Sequence, residues 1–99
     1  MRSAVFFFLF NRFATAMTQE RLTLERMRAD IARMVHEQPE DIALDDNLMD
    51  LGLDSMRVLN LLLAWNETGI GLDFSEIAEH TTLGGWWDVV QRRLAQMQG

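Results

Sequence analysis

One stretch of the sequence, residues 55–68, limits the possible folds more than any other. It has helical character and is apolar on nearly every side, with eight apolar residues between Met56 and Trp65. Such a helix either lies at the centre of a core or leaves part of its surface for a partner. A chain of 99 residues cannot enclose it completely. We therefore expect one face to be buried and another to be exposed.

Helical periodicity separates these two faces. The face expected in the core has the spacing i, i+3, i+4, i+7 and contains Val58, Leu61, Leu62 and Trp65. The remaining stripe, which we expect to form a contact surface, contains Met56, Leu59 and Leu63. The alternative is that this second stripe also belongs to the core.

An earlier segment has the pattern of a first helix, followed by a long acidic loop. The helix is expected to begin within residues 18–24 and to end near Gln38, because Pro39 cannot continue it. Its expected outer ion pairs are Arg26–Asp30 and Arg33–Glu37. The loop, residues 39–54, carries spaced apolar residues that we expect to pin it to the core: Ile42, Leu44, Leu48, Leu51 and Leu53.

Two more helices are predicted after the apolar one, and no segment alternates like a strand. A short helix is expected near Phe74–Glu79. The last is expected from about Leu83 to Gln96, although Gly84 and Gly85 would weaken its first turn. Its predicted N-cap is Thr82, and its predicted inner face contains Trp86, Val89, Val90, Leu94 and Met97. The sequence therefore predicts an all-α fold.

Residues 1–17 differ in composition from the rest, and the predicted domain is residues 18–99. Five of the six phenylalanines lie in the first thirteen residues. This leader resembles a short signal peptide, with a positive start, an apolar centre and a small-x-small exit. The other interpretation is an upstream extension, with translation beginning at Met17. We favour the second, because the function inferred below requires the cytoplasm.

Composition and charge exclude several functions. Cysteine and lysine are both absent, which excludes thiolate metal sites, disulfides and a Schiff-base lysine. Residues 39–82 hold ten acidic residues and one basic residue, Arg57. This acidic centre argues against a nucleic-acid partner and suits basic protein partners. The apolar run in the leader is too short to span a bilayer, so no membrane partner is expected.

The residues around Ser55 place a hydroxyl group where a loop becomes a helix. Gly52 permits a left-handed backbone, and Asp54 is a strong N-cap residue. Ser55 therefore lies in the first turn, where unpaired N–H groups and the helix dipole favour negative charge. A phosphodiester on Ser55 would be stabilised there. Taken alone, Asp54 and Ser55 also fit an ordinary helix start.

Their wider context, residues 45–57, resembles the 4'-phosphopantetheine attachment region of carrier proteins, which share Asp-Ser after Leu-Gly-Leu. Within that superfamily the chain is most similar to the aryl carrier proteins of nonribosomal peptide synthesis. The subtype rests on Asp-Ser-Met-Arg at Asp54–Arg57, on Trp65, and on Thr-Leu-x-x-Trp-Trp from Thr82 to Trp87. Gly84 and Gly85 depart from the family, which more often has helix formers there.

The resemblance implies a four-helix bundle of the acyl-carrier type and a non-enzymatic function as a stand-alone carrier, expected to be a monomer. A Mg²⁺-dependent phosphopantetheinyl transferase would attach 4'-phosphopantetheine to Ser55, beside the cap residue Asp54. An adenylating ligase would load an aryl acid, of the salicylate or 2,3-dihydroxybenzoate type. A condensation or cyclisation domain would use it in siderophore-like biosynthesis. The alternative within the superfamily is an acyl carrier of the polyketide or fatty-acid type.

The resemblance also implies a partner surface. Its expected residues are Met56, Arg57, Leu59, Leu63, Phe74 and Ala78. Phe74 and Ala78 share one face of the short helix, and matching positions in aryl carriers are apolar, exposed and in contact with the downstream domain. The alternative is that Phe74 closes the short helix onto the core.

Three other functions were weighed. A serine hydrolase would need a second glycine where Arg57 stands, and only His36 and His80 could act as bases. A calcium site at the aspartates around Asp45 and Asp50 fails the EF-hand spacing. A non-enzymatic helical adaptor would share the exposed stripe but would not need Ser55.

Overall fold

The computed structural model describes residues 21–98, and the regular elements within that range are all helical. Helix α1 spans Leu24–Val35, α2 Ser55–Asn66, α3 Phe74–Ala78 and α4 Leu83–Gln98. A 3-10 turn at Pro39–Asp41 interrupts the connection between α1 and α2. The all-α fold with four helices, a short third helix and a long first loop is therefore confirmed. The predicted leader and any helical residues before Arg21 lie outside the described range.

Helix α1 begins with a side-chain cap and ends earlier than predicted. The Thr23 hydroxyl oxygen accepts a hydrogen bond from the third helical amide, which satisfies one of the free donors at the helix start. At the other end, His36 adopts a left-handed conformation with φ 60°, and its N–H donates to the Ala32 carbonyl. The predicted end at Gln38 is therefore wrong. The chain leaves the helix at His36, and Pro39 instead starts the 3-10 turn.

The ion pairs of α1 also differ in part from the prediction. Arg33 pairs with Asp30 at 2.5 Å rather than with Glu37, because the helix has ended before Glu37. Arg26 pairs with Asp30 as expected, at 3.4 Å. Asp30 itself is buried and not on the outer side. Its carboxylate accepts a hydrogen bond of 2.9 Å from the indole Nε1 of Trp65, which joins α1 to α2.

The core receives residues from every helix and from the loops between them. In α2 the predicted inner face is confirmed, since Val58, Leu61, Leu62 and Trp65 are all buried. The Trp65 ring meets that of Trp86 from α4 edge to face, with centroids 6.1 Å apart, an arrangement that aromatic pairs prefer. α1 packs against both α2 and α4, while α3 packs against α4.

The long loop is pinned to this core by three of its five apolar side chains. Ile42, Leu48 and Leu53 are almost completely buried, and Leu51 packs partly against the core. The prediction is wrong for Leu44, whose side chain is 44% exposed. Leu44 is held by its main chain instead, since its carbonyl accepts a 2.9 Å hydrogen bond from the Gly84 N–H.

Helix α4 starts where predicted, despite its two glycines. The Thr82 hydroxyl caps it by accepting from the Gly85 N–H at 3.0 Å. A Cβ on Gly84 would lie 3.0 Å from the Leu44 carbonyl oxygen, and one on Gly85 would lie 2.8 Å from the His80 side chain. The glycines thus permit close packing at the start of the helix.

The predicted inner face of α4 is confirmed for its buried residues and wrong at its end. Trp86, Val89 and Val90 are buried, and Leu94 packs partly against the core. Met97, in the last turn of α4, is 55% exposed.

Candidate functional site

A series of tight turns brings the chain to Ser55. The Asn47 side-chain oxygen accepts from the amides of Met49 and Asp50, at 2.9 and 3.3 Å. The Leu48 carbonyl then accepts from the amide of Leu53 at 3.1 Å, which closes the segment on itself. These local bonds satisfy main-chain groups that a long loop would otherwise leave to water.

Three features fix the direction in which this segment enters α2. Leu48 and Leu53 are 0% and 1% exposed, so the turn is anchored on both sides by buried side chains. Gly52, between them in sequence, has φ 109°, a conformation that residues with a Cβ rarely adopt. The Leu48 N–H also donates to the Thr81 carbonyl at 2.8 Å, which ties the segment to the connection before α4.

Asp54, Ser55 and Arg57 meet at the first turn of α2. One Asp54 carboxylate oxygen accepts from the Arg57 amide at 2.9 Å, as expected of an N-cap residue. The other oxygen accepts from Nη1 of the same arginine at 2.8 Å. Ser55 is the first residue of the helix and its side chain is exposed. The predicted helix start at Asp54–Ser55 is therefore confirmed in its geometry.

This geometry suits a hydroxyl group that receives a phosphate. The first turn presents N–H groups and the positive end of the helix dipole. Arg57 pairs with the neighbouring carboxylate of Asp54, which reduces the negative charge beside Ser55. Ser55 is exposed, so its hydroxyl group is accessible to a partner enzyme. A phosphodiester with a long flexible arm fits these surroundings.

The remaining predicted site residues form an exposed apolar group on α2 and α3, which we call the apolar surface: Met56, Leu59, Leu63, Phe74 and Ala78. On α2 the exposed fractions of the first three residues are 66%, 38% and 61%. On α3, Phe74 is 41% exposed and Ala78 is also exposed. The alternatives that placed the second stripe or Phe74 in the core are therefore wrong. On each helix these exposed apolar residues share one face, and exposed apolar residues grouped on a small domain commonly mark an interaction site.

The sequence analysis missed long-range contacts of two polar residues that are important to the arrangement. Asp30 links α1 to Trp65, and Arg93 of α4 reaches the chain around α3. Trp65 lies 35 residues from Asp30, and the partners of Arg93 lie 17 and 22 residues from it. No local pattern could have identified these contacts, since helical periodicity relates only residues three or four apart.

Within residues 21–98, no three His, Cys, Asp or Glu residues are grouped so as to hold a metal ion. The aspartates near Asp45 and Asp50 instead take part in the turns of the loop, as the bond from the Ala43 amide to Asp46 illustrates. Over the same described range, no helix is long and apolar enough to cross a membrane.

The fold and this site define a known class of protein. Residues 25–90 match the family described as the phosphopantetheine attachment site, and the chain belongs to that family. Its members carry 4'-phosphopantetheine covalently, and they are carriers rather than catalysts. The resemblance drawn from residues 45–57 is thus confirmed, and so is the expected cofactor.

Three related proteins show how far the similarity extends along each chain. The chain is 40% identical to the acyl carrier protein ScoB of Streptomyces coeruleorubidus over 72 residues, covering 73% of this chain and 85% of ScoB. It is 37% identical to isochorismatase of Bacillus subtilis, over 76% of this chain and 24% of that protein. Enterobactin synthase component B of Escherichia coli is 38% identical over 50% of this chain and 18% of the relative. No solved structure matches significantly.

The chain therefore spans most of one relative and less than a quarter of two larger ones. What it shares with isochorismatase and with the synthase component is a segment the size of a carrier domain. The activities named for those larger proteins belong to them as whole proteins.

Proposed function

We propose that this chain is an aryl carrier protein whose 4'-phosphopantetheine arm is attached to Ser55. The observation that carries the proposal is the exposed Ser55 side chain at the first position of α2, directly after the capping residue Asp54. Ser75 is the other serine in the described range, and it lies on α3 without the preceding Leu-Gly-Leu-Asp segment. The family requires an attachment hydroxyl, and Ser55 meets that requirement best.

Attachment would proceed by substitution at phosphorus, catalysed by a Mg²⁺-dependent phosphopantetheinyl transferase. The Ser55 Oγ attacks the pantetheine-bearing phosphorus of coenzyme A and forms a new P–O bond. The pyrophosphate P–O bond breaks, and 3',5'-adenosine bisphosphate leaves. The hydroxyl proton passes to a base of the transferase. The chain itself supplies the positioned hydroxyl, the N–H groups of the first turn and the arginine that neutralises Asp54.

Once attached, the arm supplies a thiol that holds the cargo as a thioester. We assign the cargo to the aryl acids, of the salicylate or 2,3-dihydroxybenzoate type. Support comes from Asp-Ser-Met-Arg at Asp54–Arg57, from Trp65 and from the Thr82–Trp87 motif. The similarity to enterobactin synthase component B and to isochorismatase supports a role in siderophore-like biosynthesis. An adenylating ligase would load the acid onto the arm.

We assign the apolar surface to the downstream partner, a condensation or cyclisation domain of a peptide synthetase. Its exposure next to a fully packed core supports a role outside folding. Arg57, 44% exposed at its side chain, lies between Met56 and Leu59 of this surface in sequence, and we assign it to the same contact region. The proposed reactions use coenzyme A and ATP, so we place them in the cytoplasm. We also propose that the carrier acts as a stand-alone monomer.

A second function has its own support. ScoB, of which the chain covers 85%, is named an acyl carrier protein, and we take this as support for an acyl carrier of the polyketide or fatty-acid type. The two candidates share Ser55 and the arm and differ in the group that is loaded.

The test is loading of the arm by partner enzymes of each kind. The holo protein would be incubated with ATP and an aryl-acid adenylating ligase, with salicylate and 2,3-dihydroxybenzoate in turn. Parallel samples would receive malonyl-CoA with an acyltransferase, or a fatty acid with an acyl-carrier ligase. Intact mass should rise by one aryl group in the first set only. Loading confined to malonyl or fatty acyl groups would replace the aryl assignment with the second candidate.

A further inference from the structure

Helix α3 carries two residues of the apolar surface but is too short to be stable by itself. It has five residues, Phe74–Ala78, whereas isolated helices in water need well over ten. Ile77 is the only one of the five that is buried, and it is 0% exposed. One buried side chain leaves the helix free to tilt about that contact. The orientation of Phe74 and Ala78 must therefore depend on further contacts.

Helix α4 provides these contacts at both ends of α3. At the C-terminal end, the indole Nε1 of Trp86 donates to the carbonyls of Ile77 and His80, at 2.9 and 3.0 Å. At the N-terminal end, Arg93 donates through Nη1 to the Gly71 carbonyl at 2.6 Å. Its Nη2 donates to the carboxylate of Glu76 at 2.5 Å.

Arg93 contacts the capping box at the start of α3. Asp73 and Glu76 form a capping box, in which the Glu76 Oε1 atom accepts from the Asp73 amide at 3.4 Å. Arg93 binds that same Oε1 atom. A positive charge near a helix N-terminus is otherwise unfavourable, so the useful contribution of Arg93 is to hold Glu76 and Gly71 in place. A planar guanidinium can hold two acceptors at fixed angles, which a point charge cannot.

We propose that Arg93 is a positioning residue for the partner surface: it fixes the orientation of α3, and through it the presentation of Phe74 and Ala78. The inference rests on the proposed role of the apolar surface. Arg93 touches neither the arm site nor the apolar surface by any hydrogen bond or ion pair described for it. Its effect should therefore fall on transfer to the downstream partner, with attachment and loading of the arm preserved.

The neighbouring arginine provides a matched control. Arg92 lies on the same helix and differs from Arg93 in the direction of its side chain. It pairs with Asp88 of its own helix at 3.2 Å, and its side chain is 65% exposed, against 25% for Arg93. Arg92→Met and Arg93→Met thus remove the same charge from adjacent positions, and only the second releases α3.

The first measurement is amide hydrogen exchange of the full-length protein. In Arg93→Met, exchange of the α3 amides, including those of Ile77 and Ala78, should accelerate about tenfold relative to the wild type. The amides of α1 and α2 should be unchanged, and Arg92→Met should leave all four helices unchanged. Arg93→Lys should recover part of the protection, since it keeps the charge near Glu76. Equal acceleration in every helix would overturn the proposal, because Arg93 would then only support global stability.

The second measurement is transfer of 2,3-dihydroxybenzoate from the loaded chain to the remaining components of E. coli enterobactin synthase, chosen because its component B is a relative. Arg93→Met should lower the transfer rate about fivefold relative to the wild-type chain, with arm attachment unchanged. Phe74→Asp serves as the reference for the surface itself. Stalled transfer in Phe74→Asp with normal transfer in Arg93→Met would overturn this inference alone. Normal transfer in both would remove the proposed role of the apolar surface, and with it this inference.

Discussion

The start of α2 and the short helix α3 both present functional residues, but they are held in different ways. The segment before Ser55 is fixed largely by its own turns and by the buried side chains of Leu48 and Leu53. Helix α3 is fixed by two side chains of α4: Trp86, six and nine residues from its acceptors, and Arg93, 17 and 22 residues from its own. Apart from the Leu48–Thr81 bond, the main-chain bonds of the first region join residues within five positions of each other, whereas the second region depends on side chains of another helix.

This difference explains what the sequence could predict. The helix start at Asp54–Ser55 follows from a cap residue, a glycine and an apolar run, all within a few positions. The buried face of α2 follows from helical spacing for the same reason. In contrast, the contact of Arg93 with Gly71 spans 22 residues, and nothing near Arg93 in sequence indicates its partner.

The wrong predictions have the same origin. Pro39 gave a clear stop signal, but the left-handed conformation of His36 ended α1 before it. Leu44 and Met97 were expected to face inward because of their spacing, yet their side chains are 44% and 55% exposed. Gly84 and Gly85 were expected to weaken the first turn of α4, because their close contacts with Leu44 and His80 cannot be inferred from the sequence.

The largest effect of truncating a side chain is expected at the buried anchor of the attachment segment. Leu48→Ala should lower the free energy of unfolding by about 3 kcal/mol, because it leaves a cavity at a fully buried position. Leu44→Ala is the matched control, and it should cost less than about 1 kcal/mol since that side chain is 44% exposed. Urea unfolding of both variants measures the difference. Equal costs would show that buried side chains do not anchor this loop.

An aspartate introduced on α3 should have different effects on the exposed and the buried face of the helix. Phe74→Asp should change the free energy of unfolding by less than about 1 kcal/mol and should leave arm attachment intact, because Phe74 is 41% exposed. Ile77→Asp, on the same helix, should cost several kcal/mol by burying an unpaired charge. Thermal unfolding distinguishes the two, and product formation by the synthetase should stall in Phe74→Asp. A large loss of stability in Phe74→Asp would place that side chain in the core.

The smallest effect is expected from removal of the N-terminal leader. A chain beginning at Met17 should match the full chain in helix content and in arm attachment, because the predicted helices all follow that residue. Circular dichroism and intact mass provide the comparison. Loss of helix content or of attachment in the shorter chain would show that residues 1–16 belong to the domain.

The central claim, that Ser55 receives the arm, is tested most directly by intact mass spectrometry after incubation with coenzyme A and a promiscuous phosphopantetheinyl transferase. The wild-type chain and Ser75→Ala should each gain one phosphopantetheinyl group, since Ser75 is an exposed serine on another helix. Ser55→Ala should gain none and should keep its helical circular dichroism spectrum. A folded Ser55→Ala protein that still gains the group would contradict the assignment of Ser55.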